Sequence, residues 1–375
     1  MVRFRYIFIL VFLLSQVLSA YPQRVFTRDI LLKSSPVKDQ SNSSTCWSFA
    51  TTSFIESELL RLGKGEYDLS EMFFVWHTYQ QKAENYVRWQ GNVFLTPGGQ
   101  PHDVMNTIRN YGLMPQQAFR GKIGYGYGYN QSEMDTLIRN EALLFLAEGN
   151  IQGYDKLNER ISEILKTYMG TPPAYFDLGN NKVTPVEFAK TLDFNPDDYF
   201  ELTSYTNHKF YRPVVLETKY NWSHDQYYNI PYNEFFVTVD FALKKGYTVL
   251  WNGDVSENEF SYDYGIALVP EKKWENKTIS EQKNTFINAE KEVKPSAELR
   301  QQTYENLESK VDHVMHIIGA AKDQDGKKYY IVKNSWGIND KTGGLIYMSD
   351  AYLKLKTISI MLHKDGIPKN ILNKL

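Results

Sequence analysis

From Gln40 to Thr45 the chain is a polar run of Ser, Asn and Thr, and directly after it apolar residues return at Trp47, Ala50 and Phe54 and at Ile55, Leu59 and Leu62. Spacings of three and four mark one face of a helix, and Gly63 supplies its stop. The same period predicts a second helix over about 70–85, a third over 102–111 after the turn PGGQP, helical stretches within 133–169, and another helix over 233–245. A strand follows at 247–251. The rhythm becomes strand-like near the end, where HVMHIIGA (313–320) and KKYYIVKN (327–334) flank the turn KDQDG and read as a hairpin. The Gly and Tyr tract within 118–130 reads as a mobile loop, and 207–232 as irregular. The stretch 271–310, dense in Glu, Lys and Gln, reads as a solvated helical face.

The first twenty residues form a separate class. Arg3 and Arg5 precede the apolar run from Tyr6 to Leu14, and small residues follow, which is a signal-peptide pattern with cleavage expected near Ser19 or Ala20. A spanning helix needs about 20 apolar residues, so no stable membrane anchor is expected. The expectation is an exported protein, periplasmic or extracellular, with residues 21–375 as a single domain.

Composition narrows the partners. A 42% hydrophobic and 15% aromatic chain of 375 residues can build a sizeable core. Its 42 basic and 44 acidic residues leave a formal charge of -2, which gives no field for nucleic acid. Only one cysteine is present, Cys46, so no internal disulfide can form.

Cys46 falls in the first turn of the first helix, where unpaired N–H groups and the helix dipole favour a thiolate. A nucleophile also needs a base, and the histidines are at 77, 102, 208, 224, 313, 316 and 363. Simple pairing of the terminal hairpin sets His313 beside Asn334, close enough for the amide to hold an imidazole and fix its tautomer. His316, three residues on, points to the other strand face and reads as a packed histidine. Gln40, six residues before the thiol, could return across the loop as an oxyanion donor. Paired metal histidines, Walker loops and GxSxG elbows do not occur, so neither a metal nor another cofactor is called for.

With PVKDQ, CWSFA, DHVMHIIG and VKNSWG in that order, the sequence resembles the papain-like cysteine peptidases, and within them the bleomycin hydrolase and bacterial aminopeptidase C branch. LSEMFFVW, GGQPHDVMNTIRNYGLMP, MGTPPAYF, VLWNGDV and GGLIYMSDAYL extend the likeness across most of the chain. The resemblance implies an α+β, two-lobed fold: a helical lobe facing an antiparallel sheet lobe, with helical insertions at about 118–230 and 271–310. It implies Cys46 as nucleophile, His313 as base and later acid, Asn334 as its orienter, and Gln40 with the Cys46 N–H as oxyanion hole. Trp336 would shield the His to Asn bond, while Gly98, Gly99 and Val314 would line the substrate cleft.

Three departures qualify that implication. Ser43 stands where papain has a disulfide cysteine, in keeping with the bridge-free branch. Members of the branch are typically intracellular, whereas this chain carries a leader. The branch also continues past a segment like HKDGIPKNILNKL into an arm that lies in the cleft and limits cleavage to peptide N-termini, and this sequence reaches Leu375 about where that arm would begin. With the leader removed, only about 15 residues precede Pro36, so an inhibitory pro-domain is not expected. The reading is therefore an aminopeptidase on short peptides, with an endopeptidase or dipeptidyl-type enzyme as the alternative. A non-catalytic peptide-binding surface protein is the rival from another class, and the insertions leave room for a homo-oligomer.

Overall fold

A computed structural model describes residues 24–123, 128–149 and 153–375. The expected leader and the middle of the Gly and Tyr tract lie outside the described residues.

Helix α1 (Cys46–Arg61) organises the molecule. The sequence pattern suggests one apolar face, yet every residue from Trp47 to Leu59 is buried, so α1 is a central helix enclosed on all sides. Its polar positions are therefore satisfied inside. Thr51 donates to the Trp47 carbonyl at 2.6 Å, and Ser48 to the Glu71 carbonyl at 2.8 Å. Lys38 reaches Glu56 at 3.2 Å and Glu71 at 2.6 Å, while Arg61 pairs with Glu58 at 2.7 Å. Burying these carboxylates without the cations would be strongly destabilising.

Around α1 pack α2 (Glu71–Arg88), capped by the Ser70 hydroxyl, and α3 (Pro101–Tyr111), opened by a proline and a Gln100–Asp103 capping box. The expected helical stretch at 133–169 is two helices, α4 (Ser132–Ala147) and α5 (Tyr154–Met169), which pack on α2. The hairpin β2 (Phe176–Leu178) and β3 (Asn181–Val183) and helix α6 (Pro185–Leu192) complete the helical lobe. One apolar core joins these elements, and Leu250, Val314 and Met361 enter it from the sheet.

The sheet lobe begins with β1 (Thr27–Leu31) and gathers β4 (Tyr199–Thr203), β5 (Arg212–Val215), β6 (Gln226–Asn229), β7 (Val249–Gly253), β8 (Phe260–Ser261) and β9 (Ile266–Ala267). The long strand β10 (His313–Lys322), β11 (Lys328–Lys333), β12 (Leu345–Ser349) and β13 (Thr357–His363) follow. The order is β5-β6-β4-β13-β7-β10-β11-β12-β9-β8, with β1 also paired to β10. One face of the sheet meets α1. The other is covered by α7 (Tyr232–Lys244) and by a second core that includes Met315, Ile317, Val332 and Ile360.

Two segments depart from the sequence reading. The stretch 207–232 is not wholly irregular: β5 and β6 pair there and carry the insertion into the main sheet through β4 and β13. The strand signal is hidden because each strand is only four residues long, edge strand β5 contains a proline, and β6 begins and ends on polar residues. The stretch 271–310 is not simply a solvated face. It holds α8 (Ile279–Asn284) and α9 (Ala297–Glu305), and Arg300 of α9 is 1% exposed, donating to the carbonyls of Ser204, Lys354 and Ile358 at 3.1, 3.4 and 3.3 Å. Helix α10 (Asp350–Lys356) and the short α11 (Lys369–Leu372) end the chain.

Candidate active site

The sulfur-bearing residue stands at the first position of α1, after the turn that holds Ser41 and Ser44 at positive φ. Ser43 is fully buried in this turn and donates to the Gln40 carbonyl at 2.7 Å, so a hydroxyl tightens the loop at the place where papain has a cystine. No acidic residue lies in the first turn of α1. The first-turn N–H groups of Cys46 and Trp47, together with that of Val314 from β10, favour the thiolate, but the surrounding protein outweighs them and burial pushes the thiol up to about 11. Part of the Cys46 surface remains open to a cleft of about 320 Å³.

His313 opens β10 and lines the same cleft, 3% exposed. Its Nε2 is 2.7 Å from Asn334 Oδ1, so the amide oxygen accepts from a ring N–H and Nδ1 is the nitrogen left for proton exchange. Burial pulls this imidazole down to about 4, against the Asn334 bond. Trp336 stacks at a tilt over the ring, with centroids 4.7 Å apart, and is itself held by Phe260 and Tyr262.

The route by which His313 meets Asn334 differs from the sequence expectation. Lys322 pairs with Lys328, a bulge follows between Ile317 and Gly319, and His316 pairs with Lys333. Asn334 is therefore past the last paired residue and is not the cross-strand neighbour of His313. The chain turns there: the Asn334 N–H donates to the Gly344 carbonyl at 3.2 Å, and Oδ1 also accepts from the Ser335 N–H at 2.8 Å. His316 sits on the α1 side of β10, as expected of a packed histidine, with Nδ1 2.9 Å from the Ser53 hydroxyl.

Gln40 joins the cleft through a zipper between residues 38–40 and 335–337. Its N–H donates to the Ser335 carbonyl at 2.8 Å, and the Gly337 N–H donates to Lys38 at 3.1 Å. The Ser335 hydroxyl donates to Gln40 Oε1 at 2.6 Å. That bond fixes which way the amide points, and Nε2 is the donor left for a ligand. Sequence reasoning missed Ser335. It lies inside the motif read for its neighbours, and the only signal was its place between Asn334 and Trp336.

The two glycines behave differently from a plain turn. Neither has positive φ; each is small because something packs where Cβ would be. At Gly99 a Cβ would come within 2.8 Å of the Trp47 ring, and at Gly98 within 2.5 Å of the Tyr220 ring. Trp47 Nε1 donates to the Pro97 carbonyl at 2.9 Å, which holds this loop against α1. Both glycines and Val314 line the cleft, as do Phe94, Lys219, Tyr220 and Asp312. The Asp312 carboxyl is pushed up to about 7 by burial and the nearby Asp254.

All the residues singled out by the sequence thus reach one groove except Asn334, which stands behind His313. A thiol, an imidazole with a fixed tautomer, and donors beside the sulfur can carry out nucleophilic attack on a carbonyl. The Peptidase C1-like family model matches residues 10–375. Aminopeptidase W of Lactobacillus delbrueckii subsp. lactis is 23% identical over 93% of this chain and 85% of its own length, and human bleomycin hydrolase is 22% identical over 93% and 85%. The solved structure of pepw from Lactobacillus rhamnosis superposes with a TM-score of 0.69 at 20% identity, covering 93% of this chain and 84% of that one. The fold is papain-like, and the chain belongs to the Peptidase C1-like family.

Proposed function

We propose that this protein is a cysteine peptidase that hydrolyses peptide bonds through a thioester, acting as an aminopeptidase on short peptides. The observation that carries the reading is the convergence on one cleft of Cys46, Gln40 and a His313 whose Nε2 is held by Asn334. With thiol and imidazole each held neutral by burial, the proton passes from sulfur to His313 Nδ1 as the sulfur attacks the carbonyl carbon. Gln40 Nε2 and the Cys46 N–H donate to the oxygen as it gains charge. His313 then gives the proton to the leaving amine, and water, activated by the same nitrogen, hydrolyses the thioester. Val314 and the two glycines contact the substrate, and Trp336 keeps water from the His313–Asn334 bond.

The names of the relatives support aminopeptidase action. The alternative is cleavage at internal bonds. The leader pattern supports action outside the cytoplasm.

Purified protein incubated with a ladder of free and N-acetylated peptides, with products read by mass spectrometry, tests the reading. Stepwise loss from free N-termini, abolished in Cys46→Ala, is the expected result. Internal cleavage of blocked peptides would transfer the assignment to the alternative, and hydrolysis that survives Cys46→Ala would remove the thiol from the mechanism. N-terminal sequencing of the exported product tests cleavage near Ala20.

A further inference from the structure

Tyr220 stands at the cleft wall in the segment between β5 and β6, far in sequence from every motif of the site. Its ring covers Gly98 so closely that a methyl group on that glycine would lie 2.5 Å from ring carbon Cε1. The Lys219 ammonium is 4.8 Å from the Tyr220 centroid and 6.0 Å from that of Phe94, so one cation bridges two rings on this wall. The segment is firmly anchored on both sides of the ring. Leu216 is 1% exposed, Asn221 donates to the Asp225 carbonyl at 3.0 Å, and the Trp222 indole donates to Asp103 at 3.0 Å while Asn85 donates to the Trp222 carbonyl at 2.7 Å. Gly98 is fixed from behind, because the buried Lys82 ammonium donates to the carbonyls of Thr96 and Gly98.

On the reading of a peptidase whose substrate runs along Gly98 and Gly99, we infer that Tyr220, steadied by Lys219 and Phe94, is the stop that limits how many residues lie ahead of the scissile bond. A peptide whose backbone follows the glycines away from Cys46 runs into the ring. A short leading segment fits before it, whereas a longer or blocked one must displace a ring whose following neighbours, Asn221 and Trp222, are buried. The restriction to N-termini then comes from an internal segment of the chain.

The test uses Tyr220→Ala, Tyr220→Phe and Lys219→Ala in the full protein. The ratio of kcat/KM for N-acetylated hexapeptides to that for free dipeptides and tripeptides is expected to rise at least tenfold in Tyr220→Ala and less in Lys219→Ala. It should stay at the wild-type value in Tyr220→Phe, which keeps the ring. A parallel readout needs no catalysis: in the Cys46→Ala background, Tyr220→Ala should tighten binding of a fluorescent N-acetylated hexapeptide at least tenfold. Hydrolysis with an unchanged ratio would overturn the stop and leave the peptidase reading standing. Tighter binding without hydrolysis by the wild type would do the reverse, and unchanged binding would overturn the stop whatever the activity.

Discussion

At the scale of single residues, the cleft depends on how an uncharged amide is aimed. Gln40 can serve an oxyanion only if Nε2 points inward, and the hydroxyl of Ser335 on Oε1 is what selects that orientation. Gln40→Ala should lower kcat about 10²- to 10³-fold, the range for loss of one such donor. Ser335→Ala keeps the donor but releases its orientation, so a smaller fall in kcat, about tenfold, is expected with KM little changed and the thermal midpoint retained. Steady-state kinetics on a free dipeptide, with circular dichroism as the fold control, checks both. A rise in KM alone would show that Ser335 shapes binding and not the transition state. Cys46, Gln40, His313 and Asn334 were legible in the sequence because each is a chemically distinctive residue in a short local pattern. Ser335 was not, since its partner lies 295 residues away and a serine hydroxyl carries no pattern of its own.

At the scale of elements, periodicity read the helices well wherever the surroundings are one-sided. It located α2 and α3 to within a residue or two at their starts, and α1 at Cys46, although α1 is enclosed on every side. It failed for β5 and β6, four-residue strands broken by a proline or ended by polar residues, and it could not see that Arg300 in a charged stretch is buried among carbonyls. The hairpin was legible as a hairpin but not in its register: Lys322 pairs with Lys328, so the turn is centred on Asp325 and not between Asp323 and Gln324, and the bulge between Ile317 and Gly319 shifts the pairing once more. Gly319 sits at that bulge, and a Cβ there would overlap the Ile30 carbonyl oxygen of β1. Gly319→Ala should therefore separate β1 from β10 and destabilise the protein by about 2 kcal/mol, within the usual range for overpacking. Urea unfolding would show this as a lower midpoint at an unchanged slope. An unshifted midpoint would mean that β1 yields freely at this point.

At the scale of the whole molecule, the two lobes are tied by a buried ion pair that none of the sequence motifs announces. His102 of α3 lies 2.6 Å through Nδ1 from Glu201 of β4, with Asp103 and Asp225 near Nε2 at 3.9 and 3.8 Å. Burial by itself would pull this imidazole down, but Glu201 and then Asp103 and Asp225 overcome it and raise His102 from 6.5 to about 9. A histidine whose folded value exceeds its unfolded one binds its proton more tightly in the folded state. Its contribution is complete below about pH 6.5 and is lost as pH rises through about 9. Glu201 remains raised by burial despite its partner, so the imidazolium is what makes this carboxylate tolerable inside the protein. Between pH 6.5 and 8, unfolding free energy should fall by up to about 1.4 kcal/mol per pH unit on account of His102, alongside the contributions of Lys82 and Lys333, lowered by burial to about 8, and of Glu71 and Asp312, raised by burial to about 7. Urea titrations of wild type and His102→Gln at pH 6.5, 7.25 and 8 isolate this part as the difference between their slopes. The variant should be less stable at pH 6.5 and lose less stability across the window than the wild type, because a neutral amide can keep a hydrogen bond to Glu201 but cannot lose a proton. Parallel lines for the two proteins would show that the pair carries no pH dependence.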